Sequence, residues 1–369
     1  MKIIFIGRYN PSENLRGPEK VAKRLFENIS SQNPDTIFIE YFFDGRKYSY
    51  MKKIFGSEKI TFGEKIIFRL GLVRLFIFLL KEKPNIIHLV TFERFAFIAF
   101  IYKIFVKVKI VYTVHGIICY ENNFLKENLP HFYKIKDKYF ERILFNYSDK
   151  IIFLSNISIK FAEKYLNINK DKIEIIPNGV DKCFYEVERS MDKIENSPLK
   201  VVFVGDYFRK EKGFDFLIDS LKDVHFPIEL YVISKYTNKY DSFNNSNLMI
   251  NFIDKLEQRK YSEFLLDKDI IISSSYYDNF SISIVEGMAA GLVPVVTRET
   301  GMSEFIESGK NGFCYDYGDI LSIKDILQNI SSNLNKLTTV SLDAKKISKQ
   351  VLWENIAVKY LTMYNRLTK

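Results

Sequence analysis

Asp278 and Glu286 stand eight residues apart in "DNFSISIVEGMAAGLVPVV", in company with Gly287, Ala289, Ala290, Gly291 and Pro294. Asn279-Phe280-Ser281 reads as a loop feeding a helix that Gly291 closes. Asp278 then sits in the loop and Glu286 on the helix's first turns. A carboxylate on a helix can grip the paired hydroxyls of a ribose; one in the loop can orient a sugar hydroxyl. The N–H groups near Phe280 and Ser281 suit a phosphate or sugar oxygen. A solvated helix face would also carry an acidic pair, but the compact set of small residues around this one weighs against it.

A second constellation is cationic. In "FVGDYFRKEKGFDFLIDSL", Phe203 to Leu221, an apolar run breaks at Gly205, and Phe214, Leu217, Ile218 and Leu221 then repeat at helical spacing. Arg209, Lys210 and Lys212 lie between, with Gly213 at the helix mouth. This is either a solvated turn or an anion site at a helix start, whose N–H groups and dipole favour negative charge. In "IVYTVHGIICYENN", His115 falls just past a strand's carboxyl end. It is either structural or a hydrogen-bond donor and proton carrier facing a cleft. In "RYNPSENLRGPEKVAKRL", Gly17-Pro18 fits a bend followed by proline at a first helical position. It is a plain turn, or a glycine that lets a ligand approach the backbone; the stretch is not a G-x-G-x-x-G fingerprint. Asn178-Gly179 after Pro177 is a strong turn signal and a candidate hinge.

Short β-branched runs must position these loops. Candidate strands are Lys2–Ile6, Thr36–Glu40, Ile86–Leu89, Ile110–Thr113, Lys150–Leu154 and Ile173–Ile176. Helical patterns fall between them at Pro18–Ser30, Phe62–Lys83, Phe95–Phe105, Tyr133–Asn146 and Ser155–Leu166. The alternation reads as parallel βαβ units. A polar, aperiodic stretch from Asp181 to Pro198 looks like a linker. A second series follows, with strands Lys200–Val204, Ile228–Ile233, Leu248–Phe252, Ile270–Ser273 and Pro294–Thr297. Its helices lie near Phe214–Lys222, Glu257–Lys268 and Ser283–Ala290, and a last helix spans Leu352–Thr368. Two doubly wound lobes joined by one linker imply a cleft, with ligands outside the carboxyl ends of the strands.

The 369 residues suit roughly two domains, and 47% hydrophobic against 27% charged residues suits a full core. A net charge of +9 favours anionic partners. Cys119, Cys183 and Cys314 are far apart and offer neither a disulfide framework nor a metal spacing, which suits a reducing compartment. The start, "MKIIFIGRYN", reads as a strand rather than a signal peptide. "IIFRLGLVRLFIFLL" is interrupted by Arg69 and Arg74, and "FAFIAFIYKIFVKVKIVY" by Lys103, Lys107 and Lys109, so a membrane span is not expected. Both stretches read as buried helices with snorkelling lysines, or as interfacial helices. Nucleic acid is not an expected partner: no zinc spacing, RNP-like pattern or arginine-rich arm is present.

In order, "RGPEKVAKRL", "TVHG", "IPNGVD", "VGDYFRKEKGFD", "DNFSISIVEGMAAGLVPVV", "GMSEFI", "GKNGF" and "WENIAVKY" resemble the glycosyltransferases of family 4 over nearly the whole chain. The resemblance implies an α/β chain of GT-B fold, two Rossmann-like lobes facing each other across a cleft. Residues 1–182 would form the acceptor lobe, 183–198 the linker and 199–351 the donor lobe. The helix over 352–369 would cross back to the first lobe. It further implies retaining, metal-independent transfer from a UDP-sugar or GDP-sugar to a lipid-linked or oligosaccharide acceptor of a surface polysaccharide, in the cytoplasm or at an anionic membrane's inner face.

The implied roles are specific. Lys212 would bind the donor diphosphate. The arginine that normally follows the glycine of "VG" is replaced by Asp206, and Arg209 is the candidate substitute. Gly205 closes that strand, and Gly17 would let backbone N–H groups approach the diphosphate. Glu286 would hold the ribose and Asp278, where the family has Glu, the sugar. Asn279, Phe280 and Ser281 would touch sugar and phosphate, Glu304 would add a polar contact, and His115 would lie near the reacting centre. The acceptor surface would include Tyr120–His131. An epimerase of the same fold and a non-catalytic binding relative are the alternatives.

Overall fold

The computed structural model describes residues 1–9, 17–42, 48–62, 65–122, 129–186, 197–235 and 246–369. Residues 10–16, within the loop before Gly17, residues 123–128 of the expected acceptor loop and residues 187–196 of the expected linker lie outside them. The chain forms two compact units. The first comprises Met1–Leu154, Ile159–Gly179 and Trp353–Lys369; the second comprises Ser155–Ser158 and Val180–Leu352.

The first unit is built on an eight-stranded sheet of β1 (Ile3–Ile6), β2 (Thr36–Glu40), β3 (Ser57–Phe62), β4 (Lys65–Leu70), β5 (Ile86–Leu89), β6 (Lys109–Thr113), β7 (Lys150–Phe153) and β8 (Ile173–Ile175). The order is β3-β4-β2-β1-β5-β6-β7-β8, and only β3 and β4 pair antiparallel. Strand β1 is buried on both faces, which is why it reads as an unbroken apolar run; β5 is equally buried but carries His88.

The hairpin β3–β4 corrects the expected helix over Phe62–Lys83. That helix covers only Leu72–Glu82. The segment before it is a strand in which Arg69 turns inward and is matched by Glu40 at 2.8 Å and Glu58 at 3.1 Å. Gly71 separates the two elements: a Cβ there would lie 2.6 Å from the Ile54 carbonyl. The apolar run hid a change of period at that glycine.

The second unit holds a six-stranded parallel sheet: β9 (Leu199–Val204), β10 (Ile228–Ser234), β11 (Leu248–Asp254), β12 (Ile270–Ser273), β13 (Val293–Thr297) and β14 (Phe313–Tyr315), in the order β11-β10-β9-β12-β13-β14. The three-residue edge strand β14 and the helices Ile320–Ser332 and Leu334–Ser348 are additions to the sequence reading.

The final helix, Trp353–Thr368, packs its Trp353, Ile356, Tyr360 and Tyr364 face into the first unit beside the helix Gly17–Gln32. A buried polar chain fixes it. The Tyr364 hydroxyl is 2.5 Å from His88 Nδ1, and His88 Nε2 is 2.7 Å from Thr113 Oγ1. Burial pushes the imidazole down to about 3, so it stays neutral. A neutral ring satisfies both partners, accepting from Tyr364 and donating to Thr113.

Candidate functional site

In the second unit β9 lies between β10 and β12, so the chain order reverses there. At such a switch point the loops leaving the two strands diverge and open a crevice at the carboxyl ends. Lys212 comes from the loop after β9 and Asp278 from the loop after β12; Lys212 Nζ lies 2.7 Å from Asp278 Oδ2, both side chains largely buried. The loops are also joined by Ser274, whose Oγ donates to the Lys212 carbonyl at 3.0 Å. Gly213 makes this approach possible. Its φ is +64°, and a Cβ would stand 2.0 Å from the Ser274 carbonyl oxygen. Gly205 closes β9 with its N–H on Ile233, and its α-carbon faces the Lys212 stem.

Arg209 and Asp206 do not behave as a simple exchange of positions. The Arg209 guanidinium pairs with buried Glu211. The Asp206 carboxylate turns toward Ser234 and the Lys235 N–H at the end of β10, 3.5 and 3.4 Å away.

Past Asp278 the chain turns tightly. The other Asp278 oxygen accepts from the Phe280 N–H at 3.2 Å, so that N–H is already engaged. Phe280 packs edge-on against Phe305. Asn279 is 4% exposed, and neither its amide nitrogen nor its amide oxygen has a hydrogen-bond partner. A buried amide left open in this way costs stability. Ser281 precedes the helix Ile282–Ala289, and its hydroxyl meets Ser283 at 3.2 Å. Glu286 lies in that helix's second turn and is buried; its charge, after burial, raises the Tyr261 hydroxyl well above its ordinary value. Glu304 receives the N–H groups of Asn156 and Ile157 at 3.0 and 2.6 Å, within the same unit.

The first unit has its own switch point, between β1 and β5. Arg8, just past β1, donates through Nε to Glu93, past β5. Burial pushes the Glu93 carboxyl up to about 7 against the opposing pull of Arg8. Sequence reasoning passed over this pair, because only the strand order brings the two ends together. His115 lies one strand over, past β6, with Nε2 2.9 Å from the Val90 carbonyl. Burial pushes it down to about 4, so Nε2 carries the proton toward Val90 and Nδ1 is left as an acceptor. Gly17 opens the helix Gly17–Gln32, and no atom of the described residues lies within 4 Å of where its Cβ would be. The segment beyond His115 is held from below: Glu141 accepts from Ile118 and Cys119 at 2.7 and 2.8 Å, and Asp137 accepts from Asn122 and Arg94 at 2.9 and 2.6 Å.

Residues 15–182 match the family profile described as Glycosyltransferase Family 4, and residues 186–346 the one described as Glycosyl transferases group 1. An uncharacterized glycosyltransferase of Methanocaldococcus jannaschii is 28% identical over 63% of this chain and 64% of that protein. The chain spans from a third to just under two thirds of the length of the curated relatives it matches. A sucrose-phosphate synthase from Thermosynechococcus elongatus has a TM-score of 0.78 at 12% identity, covering 100% of this chain and 99% of that one. Anabaena HepE, solved in complex with UDP-glucose, has a TM-score of 0.69 at 16% identity, covering 98% of this chain and 100% of that one.

Proposed function

The chain belongs to the family 4 glycosyltransferases, with the GT-B fold, and on that premise we propose that it moves a hexose-type sugar from a nucleotide sugar to a lipid-linked or growing surface-polysaccharide acceptor. The observation that carries this reading is the meeting of Lys212 and Asp278 over the β9/β12 switch point, with Glu286 on the helix that leaves it.

In this reading the donor diphosphate takes Lys212 from Asp278. Asp278, so released, accepts from a sugar hydroxyl, and Glu286 from the ribose hydroxyls. Gly205 gives room for phosphate oxygens, and Arg209 is a second cation once it leaves Glu211. The Asn279 amide and the backbone through Phe280 and Ser281 line the sugar, with Glu304 a further polar group beyond them. His115, neutral, keeps Nδ1 as a hydrogen-bond acceptor at the carboxyl end of β6 in the first unit.

The transfer itself retains configuration. The anomeric carbon–phosphate oxygen bond breaks, the acceptor oxygen attaches on the same face, and its proton passes to the leaving diphosphate. No metal is required, because Lys212 and helix N–H groups carry the developing charge. A UDP-sugar or GDP-sugar is the donor class, and the likeness to a chain solved with UDP-glucose supports that class.

Nucleoside diphosphate release from a panel of donors tests the reading. Acceptor-dependent release that Lys212→Ala and Glu286→Gln each abolish is expected. Interconversion of the nucleotide sugar without acceptor would replace it with an epimerase, and tight donor binding without turnover with a binding protein. The acceptor reading places the work at the inner face of the cytoplasmic membrane; no helix among the described residues is long and apolar enough to cross a membrane.

A further inference from the structure

Four helices of the first unit leave large apolar side chains uncovered. On Phe97–Phe105, Ile104 is 77% and Phe105 70% exposed. On His131–Tyr147, Phe132 is 69% and Tyr139 61% exposed, with Ile135 and Ile143 also open. Leu72–Glu82 adds Val73, Ile77 and Leu80, and Tyr50–Phe55 adds Tyr50 and Met51.

These helices run edge to edge. Arg74 Nε reaches the Phe55 carbonyl at 3.3 Å, Phe76 meets Phe105 with ring centroids 6.4 Å apart, and Lys103 Nζ reaches the Tyr147 carbonyl at 3.0 Å. The exposed apolar groups therefore form one face rather than scattered points, far more than single surface hydrophobics require.

The exposed charge of these helices is mostly of one sign. Arg74, Lys81, Lys136, Lys138 and Arg142 are exposed on Leu72–Glu82 and His131–Tyr147, while Lys52 of Tyr50–Phe55 pairs with Glu58 of β3. Their acidic residues are all drawn inward: Glu82 pairs with Lys2 at 2.7 Å, Asp137 with Arg94 at 2.6 Å, and Glu141 is fully buried against backbone N–H groups. Aromatic and aliphatic groups interleaved with cations, with no exposed carboxylate among the described residues of the four helices, are the chemistry of an interface-seeking surface.

We propose that this face docks on an anionic lipid bilayer, with the apolar side chains entering the headgroup boundary and the cations meeting lipid phosphates. It deepens the reading above by naming the surface on which a lipid-linked acceptor would be met. A second copy of the chain is disfavoured as occupant, because an isologous pairing would set like charges against each other. A polynucleotide would satisfy the cations but leave Ile77, Ile104, Ile135 and Ile143 unused.

Flotation of the full chain with vesicles tests this, using phosphatidylcholine alone and an equimolar mixture with phosphatidylglycerol. Binding to the anionic vesicles at low salt is expected, weakened by high salt and at least ~10-fold lower for neutral vesicles, since each basic residue near the surface contributes about fivefold. Lys136→Glu/Lys138→Glu/Arg142→Glu and, separately, Ile104→Ser/Phe105→Ser should each lower binding by at least ~10-fold. Equal partition onto both vesicle types, no partition onto either, wild-type binding by both variants, or a concentration-dependent dimer that these changes dissolve would overturn the proposal. If a variant unfolds, the salt and neutral-vesicle arms still decide. Nucleoside diphosphate release with a soluble acceptor, run in parallel, separates this outcome from a failure of the transferase reading.

Discussion

Lys212 Nζ lies 2.7 Å from Asp278 Oδ2, so the cation proposed for a diphosphate is held in this structure by the carboxylate proposed for a sugar hydroxyl. Under the proposed function the pair would act as a latch that an incoming donor exchanges, with each charge passing from its neighbour to the substrate.

Asp278→Asn should therefore free Lys212. Calorimetry is expected to show nucleoside diphosphate binding tightened by about 3- to 10-fold, the scale on which a partly screened ion pair competes, while sugar transfer falls. Lys212→Ala should weaken the same binding and lower kcat/KM by about 100-fold or more, as loss of a charge-stabilising donor does. Unchanged diphosphate affinity in both variants would show that the latch faces no ligand.

Gly213→Ala places a Cβ 2.0 Å from the Ser274 carbonyl at a φ of +64°. A destabilisation of about 2–4 kcal/mol is expected from the clash and the left-handed conformation. Urea unfolding measures it; a midpoint equal to that of wild type would mean that the β9 and β12 loops are not held as described.

Tyr364→Phe leaves His88 Nδ1 without its partner inside the core. The cost should be about 1–3 kcal/mol, the usual penalty for a buried acceptor left open. The decisive readout is local: amide exchange should quicken along the helix Trp353–Thr368 before the rest of the first unit.

Two groups of buried side chains pull stability in opposite directions with pH. Glu93 and Glu141 have carboxyls pushed up to about 7 by burial, from 4.5 when exposed. The folded chain holds their protons between those values, so their contribution is full below 4.5 and is lost as pH rises through about 7. His88 and His115 are pushed down to about 3 and 4 from 6.5, so theirs is full above 6.5 and is lost as pH falls toward those values. Glu93→Gln/Glu141→Gln should remove only the first slope. Urea unfolding across the acid-to-neutral range should show wild type losing on the order of 3 kcal/mol for each of the two carboxyls relative to this variant as pH rises. Parallel curves would sink the assignment.

The residue order alone determined a good deal here. Parallel strands covered on both faces are largely apolar, so β1, β6, β9 and β12 stand out as short β-branched runs, and the loops carrying Gly17, His115, Lys212 and Asp278 come after their ends. Spacing placed Asp278 in a loop and Glu286 on a helix for the same local reason. What the order could not fix is which strand ends become neighbours. Arg8 finds Glu93, and Lys212 finds Asp278, because the sheets reverse at β1 and β9, and a reversal is a property of the assembled sheet. The β3–β4 hairpin stayed hidden because its apolar run fits either period until Arg69 is seen to meet Glu40 and Glu58. Likewise the inward turn of Asp137 and Glu141, which leaves their helix with cations alone outside, was settled only when the core claimed one face of it.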